Sequence, residues 1–211
     1  HQLDANRATG GLGKAAADMN DFYDQSKTLM ESPGINSLFS FTDEEHTRYG
    51  ASTMGDSLLV ARNLVASGKG TRFVQATQGG WDHHSDIYDK AAAQSLFVQA
   101  AELDNAVGAL LTDLKSMSIL DQTLVVIVSE FGRTVGALNS QGGRDHYLRN
   151  SVVFAGGGTR GGRTIGATNA QGNAVADYGW SGKRDIRPED VTCTLYSALG
   201  IDYTKVRNDD P

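Results

Sequence analysis

The chain has 211 residues, of which 39% are apolar and 21% charged, a composition that supports one hydrophobic core and excludes global disorder. Its formal net charge of -6 excludes a general nucleic-acid binder, because phosphate backbones require a basic footprint. An anionic small substrate stays open, since a bound cation inverts the local field.

A single cysteine, Cys193, excludes an internal disulfide and a thiolate metal site, so any metal must be held by carboxylates and imidazoles. Cys193 lies in the apolar pattern VTCTLYSALG and reads as a small buried core residue. No apolar run approaches the ~20 residues of a membrane helix. The expected partners therefore include neither a nucleic acid nor a membrane span.

Taken in chain order, the N-terminal third reads as a helical lead-in over residues 1–70. The spacing of Ala16, Met19, Phe22, Tyr23 and Leu29 predicts a helix over 13–31, ended by the ESPG that follows. A second helix is predicted over 53–67, with Leu58, Leu59, Ala61, Leu64 and Val65 on one face. The short β-prone run TRFVQAT (71–77) predicts a strand, and a long helix is predicted over 86–117. TLVVIVSE (123–130) is a continuous apolar run, as in a strand buried on both faces of a parallel sheet. SVVFAGG (151–157) is a third strand candidate. Residues 187–200 predict a final helix, with Pro188 near its start and Gly200 just past its end. Strands separated by a long helix read as a βαβ unit, which makes the whole chain, 1–211, a single α/β domain.

Three polar clusters fall at or beside the predicted strands: GGWDHHSD after the first, SEFGRT closing the second, and GGRDHY before the third. In parallel sheets, function gathers at the carboxyl ends of strands. Imidazole nitrogen and carboxylate oxygen are the ligands of zinc, manganese and iron sites. Asp82 and His84 are two apart, so on an extended segment they face one side while His83 faces away. Asp145 and His146 are adjacent and converge only on a turn, which GGRDH allows. Glu130 completes the candidate ligand set Asp82, His84, Glu130, Asp145 and His146. Arg133 and Arg144 beside such a centre suit a phosphate or sulfate group, through paired charge-assisted hydrogen bonds.

Blander roles exist for each. Glu130 could cap a turn or pair with Arg133, Asp145 could pair with Arg144, and Trp81 reads as core or as a wall of the cleft. His1 and His46 have no supporting partners and read as surface residues. The run GGGTRGGRTIGAT (156–168) lacks the glycine–lysine–serine/threonine ending of a phosphate loop, so its glycines read as a tight hairpin or a close backbone approach.

The stretches RYGASTMGDSLLVARNLV, FVQATQGGWDHH, LDNAVGALLTDL, TLVVIVSEFGRT, GGRDH, AGGGTRGG and DVTCTLYSALGID, in this order over about residues 46–203, carry a resemblance. They are similar to a large bacterial family of alkaline phosphatase/sulfatase-like proteins, labelled as domain of unknown function fifteen-oh-one. The resemblance implies a three-layer sandwich, helices on a largely parallel sheet, with metal ions at the strand ends and chemistry on phosphate or sulfate esters. It matches Asp82 to the first metal-binding aspartate, His84 to a nearby histidine, Glu130 to the second aspartate and His146 to the late histidine. Phe131 stands where a phosphatase has a metal-binding histidine, and phenylalanine cannot ligate a metal.

The superfamily's nucleophile lies on an early strand, and no strand ending in Ser, Thr or Cys beside an aspartate is legible in residues 1–70. The chain thus resembles the C-terminal part of a larger sulfatase-like domain. Relatives often begin with a twin-arginine export signal, which implies a periplasmic or exported location.

The first functional expectation is a hydrolase of small anionic phosphate or sulfate esters with a divalent metal: zinc first, then manganese, iron or calcium. Glu130 would be a ligand or general base, and Arg133 or Arg144 would stabilise developing charge. The second is a non-enzymatic binding or assembly module with a degenerate metal site. The third is mutase-like phosphotransfer. If Asp82 and His146 share a metal, their side-chain donors should lie within about 6 Å of each other.

Overall fold

The computed structural model describes residues 13–92 and 95–205. The chain divides into two compact units, residues 1–42 and 43–211. The lead-in expected over 1–70 is therefore split, and its second helix belongs to the larger unit. His1 lies outside the described residues.

In the first unit, helix α1 (Gly13–Glu31) stops where Pro33 and Gly34 follow, and a 3-10 turn spans Asn36–Phe39. Met19, Phe22, Tyr23, Leu29 and Met30 of α1 are exposed.

The larger unit is built around two helices, α3 (Thr53–Ala66) and α4 (Leu96–Ser116), preceded by the short α2 (Asp43–Arg48). Leu58 and Leu59 of α3 are buried, as are Ala106, Leu110 and Leu114 of α4, and Tyr49 follows α2 with no exposed surface. Each such leucine contributes about 1.5–3 kcal/mol by leaving water. Both helix starts are capped: Ser52 Oγ accepts from the Gly55 N–H at 3.1 Å and Ser95 Oγ from the Val98 N–H at 3.4 Å.

The helix predicted over 86–117 starts ten residues late, at Leu96. The Asp86 and Ile87 N–H groups donate instead to the carbonyls of Gln141 and Gly142, at 3.0 and 3.1 Å. That pairing commits the segment to a loop, and Ser95 then supplies the cap.

One carboxylate ties these helices together. Asp113 of α4 accepts from Arg48 through both guanidinium ends (2.6 and 2.7 Å), from the Tyr49 hydroxyl (2.8 Å) and from Arg62 Nη1 of α3 (2.7 Å). Arg62 also reaches Glu45 at 2.6 Å. The Asp113 side chain is 9% exposed. Burial alone would raise its pKa, but the hydrogen bonds from Arg48, Arg62 and Tyr49 outweigh that and hold the carboxyl well below the usual range. Burial and the bond to Asp113 push the Tyr49 hydroxyl up, so it stays protonated and donates.

The strand expected at TRFVQAT (71–77) does not form, and Phe73 is exposed. Strand β1 (Leu124–Ile127) pairs antiparallel with β4 (Val153–Gly156), in the register Leu124 to Gly156 and Ile127 to Val153. The expected parallel βαβ ladder between 71–77 and 123–130 is thus replaced by an antiparallel ribbon. Its strand β1 is half-buried throughout rather than enclosed on both faces.

Two further antiparallel pairs join β2 (Gly132–Arg133) to β3 (His146–Tyr147) and β5 (Ala167–Thr168) to β6 (Val175–Asp177). The glycine turn after β4 closes on a bond from the Gly157 N–H to the Leu120 carbonyl, 2.9 Å, the close backbone approach expected of this run. Helix α5 (Pro188–Ala198) begins at its proline and is followed by Gly200 at positive φ. It has no buried residue, so Cys193 is half-buried rather than a core residue as expected.

Replacing Asp113 by Ala leaves Arg62 buried with one acceptor fewer, and chemical denaturation should show a loss of about 3–5 kcal/mol. In the wild type, the contribution of Asp113 is complete above the unfolded carboxyl value of about 3.9 and is lost as pH falls through it toward the lower folded value. The denaturation midpoint should therefore drop below about pH 4 in the wild type, and less so in Asp113→Asn.

Candidate metal centre

The site grows from the β2–β3 pair. In its register Arg133 lies opposite His146, so both side chains stand on one face. Gly132 pairs with Tyr147, and a Cβ at Gly132 would run into the Arg149 carbonyl, so only glycine lets β2 lie this close to its neighbour.

The second wall is the segment 81–87, laid along the loop 139–144. The Arg144 N–H donates to the His83 carbonyl at 3.0 Å, and Ser85 and Gly142 form an isolated bridge. Gly143 passes so near the His84 carbonyl that a Cβ there would overlap it.

Asn139 locks the crossing. Its Nδ2 donates to the His84 carbonyl (3.0 Å) and to Asp145 Oδ1 (3.2 Å). Its Oδ1 accepts from the N–H groups of Gln141 (3.0 Å) and Gly143 (2.9 Å). Both ends of its amide are thus committed to holding the two chain segments together.

This crossing brings Asp82, His84 and His146 into one cluster. Asp82 Oδ1 lies 3.0 Å from His84 Nε2 and 3.0 Å from His146 Nε2, and the two Nε2 atoms are 3.1 Å apart. The separation of Asp82 and His146 is well inside the expected 6 Å limit. Two ligands at the tetrahedral angle around one cation, with bonds of 2.0–2.2 Å, would be about 3.4 Å apart. The three donors, 3.0–3.1 Å apart, lie within about 0.4 Å of that spacing.

The other ring nitrogen of His84, Nδ1, is 3.1 Å from Asp145 Oδ1. An ionised carboxylate only accepts, so Nδ1 carries a proton toward Asp145, and Nε2 is the nitrogen left to face the cluster. Asp145 therefore orients a donor rather than joining the three. Its carboxyl is held below the usual range by the bonds from His84 and then Asn139. The Asp82 carboxyl is held well below it by Arg133 first and His146 second. Both acids are exposed, Asp82 with 67% of its side chain accessible. The Phe131 ring lies over His146 at 4.3 Å between centroids and 33° between planes, and limits how that imidazole turns.

The remaining candidates fall elsewhere. Glu130 is exposed in the turn between β1 and β2 and is not part of the cluster. It pairs with neither metal donors nor Arg133, whose carboxylate partner is Asp82. Arg144 donates to the carbonyls of Thr134 (2.6 Å) and Gly136 (3.2 Å) and to Tyr88 (3.2 Å), so it braces the loop and does not pair with Asp145. Arg133 reaches the carbonyls of Arg144 (3.0 Å) and Trp81 (3.1 Å) as well as Asp82. Trp81 is half-buried and contributes its carbonyl to the wall. His46 is not a lone surface residue: its Nδ1 lies 2.6 Å from Asp56 Oδ1.

Sequence reasoning missed Asn139 and Gly143. The signal available was an asparagine placed four residues before a glycine in LNSQGG, a pattern suited to a side-chain-capped turn. Replacing Asn139 by Ala strands the Gly143 N–H and the His84 carbonyl and should cost about 1–3 kcal/mol by chemical denaturation. Gly143→Ala should displace segment 83–85 and broaden or shift the His84 ring signals in an NMR spectrum.

Residues 2–209 match the family described as Protein of unknown function (DUF1501). No curated protein and no solved structure matches the chain. The family match takes in Asp82, His84, His146 and the loop that joins them, and the chain belongs to the DUF1501 family.

Proposed function

We propose that this chain carries the metal site of a divalent-metal hydrolase of phosphate or sulfate esters, built on the alkaline phosphatase/sulfatase plan and acting outside the cytoplasm. The observation that carries the reading is the Asp82–His84–His146 triangle, with its edges of 3.0–3.1 Å and an orienting carboxylate behind one imidazole. Catalytic zinc sites use three protein ligands and keep a position open, and a carboxylate behind a ligating histidine is their usual support. Two imidazoles favour zinc, manganese or iron over calcium, which takes oxygen ligands.

A cation held by Asp82 Oδ1, His84 Nε2 and His146 Nε2 supplies Lewis acidity toward an ester oxygen. The chain's own residues do the rest. Asp145 keeps the proton of His84 on Nδ1. Phe131 shields one face of His146. Arg133, the cation beside Asp82, is placed to meet negative charge at the site. Glu130 is not among the clustered donors and is not a ligand in this reading.

A non-enzymatic module is the second reading, favoured by the commitments of Arg133 and Arg144 to backbone carbonyls within the loop.

Elemental mass spectrometry after incubation with zinc, manganese or iron should give near-stoichiometric metal in the wild type and none in Asp82→Ala or His146→Ala. Asp145→Asn should retain the site with affinity lowered about 10–100-fold. An absence of bound metal in the wild type would abandon the metal reading. With metal bound, turnover in a panel of aryl phosphate and sulfate esters would favour the hydrolase, and no turnover the module.

A further inference from the structure

Asp82 Oδ1 meets three partners: His84 Nε2 and His146 Nε2, each at 3.0 Å, and Arg133 Nη2, which bonds it. Arg133 Nη1 also lies 3.4 Å from His84 Nε2. A metal would need the lone pair of His84 Nε2, and that nitrogen serves one partner at a time. The guanidinium thus spans the same carboxylate oxygen and the same imidazole nitrogen that a metal would use.

It is also anchored. Nη1 bonds the Arg144 carbonyl at 3.0 Å and Nη2 the Trp81 carbonyl at 3.1 Å, and the side chain is only 20% exposed. These carbonyls belong to the two segments that form the walls of the site.

We propose that Arg133 is a built-in stand-in for the cation: guanidinium and metal are alternative partners of Asp82 Oδ1 and His84 Nε2. Loading the site releases Arg133 from both while its two carbonyl anchors keep it at the rim. There its freed N–H groups form an edge for the anionic group of a ligand. The inference rests on the metal reading given above. It follows that Arg133 lowers metal affinity in the protein without ligand and keeps the exposed Asp82 carboxylate paired until a metal arrives. Like-charge repulsion between guanidinium and a divalent ion acts in the same direction.

The experiment is calorimetric titration of zinc and of manganese into the wild type, Arg133→Gln and Arg133→Met, with thermal melts as a check on folding. An exposed ion pair of this kind is worth up to about a fivefold change in an equilibrium constant, and removing the repulsion adds to it. The neutral variants should therefore bind metal about fivefold more tightly than the wild type, or better. Equal or weaker binding by variants that melt like the wild type overturns the inference and leaves the metal reading standing.

A second readout needs no neutral variant. In the arginine side-chain NMR spectrum of the wild type, the Arg133 signal, assigned with Arg133→Lys, should shift as zinc is added and stop shifting at saturation. A signal that stays fixed while zinc binds overturns the inference even if both neutral variants unfold. Failure of every form to bind either metal overturns the metal reading and this inference with it.

Discussion

A single carboxylate, that of Asp113, decides how the larger unit is put together. It sits on α4 and gathers donors from Arg48, Tyr49 and Arg62, three positions spread over α2, the turn after it and α3. A buried charge of this kind is tolerated only when its partners are complete, because each missing bond leaves a desolvated group behind. The arrangement leaves the helices little freedom to slide. A shift that kept the leucine contacts would still break the bidentate geometry to Arg48.

The consequence reaches the candidate site through the other half of α4. Gln99 donates to the Gly79 carbonyl at 3.0 Å, Gln78 reaches back to the Gln99 carbonyl (3.3 Å) and to Glu102 (3.2 Å), and the Leu96 N–H meets the Ile87 carbonyl at 3.4 Å. The stretch carrying Asp82 and His84 is thus held at both ends by one helix. The loop 139–144 closes on it from the opposite side. No regular strand bears Asp82 or His84; they are positioned by side-chain amides and by glycines that allow backbones to touch.

Much of this was legible in the sequence where the signal is local. The i, i+2 spacing of Asp82 and His84, the turn-forming GGRDH, the Pro188 start of α5 and the stop after Glu31 all depend on neighbours a few residues away. What failed depends on distant partners. TRFVQAT has the residues of a strand, but among the described residues no second strand supplies its ladder, and propensity without a partner does not make a sheet. The apolar run at 123–130 was read as a strand enclosed on both faces; it pairs antiparallel with β4 and is only half covered. Asp113 gave no local hint, since its partners lie 51 to 65 residues away. The roles of Asp145 and Glu130 were also beyond reach: both are acids beside the right motifs, and only the three-dimensional crossing separates the one that braces an imidazole from the one left in solvent.

The way the two segments meet has a dynamic consequence. Residues 83–87 and 139–144 are joined by backbone bonds at His83, Asp86 and Ile87 and by the one amide of Asn139. Those bonds have few neighbours to share a load with, so breaking one removes the geometry that the next requires. The amide protons of Asp86, Ile87 and Arg144 should therefore exchange with solvent as a group, with a common opening free energy below that of α3 and α4. The candidate centre would then assemble and come apart as one cooperative unit on a framework that stays folded.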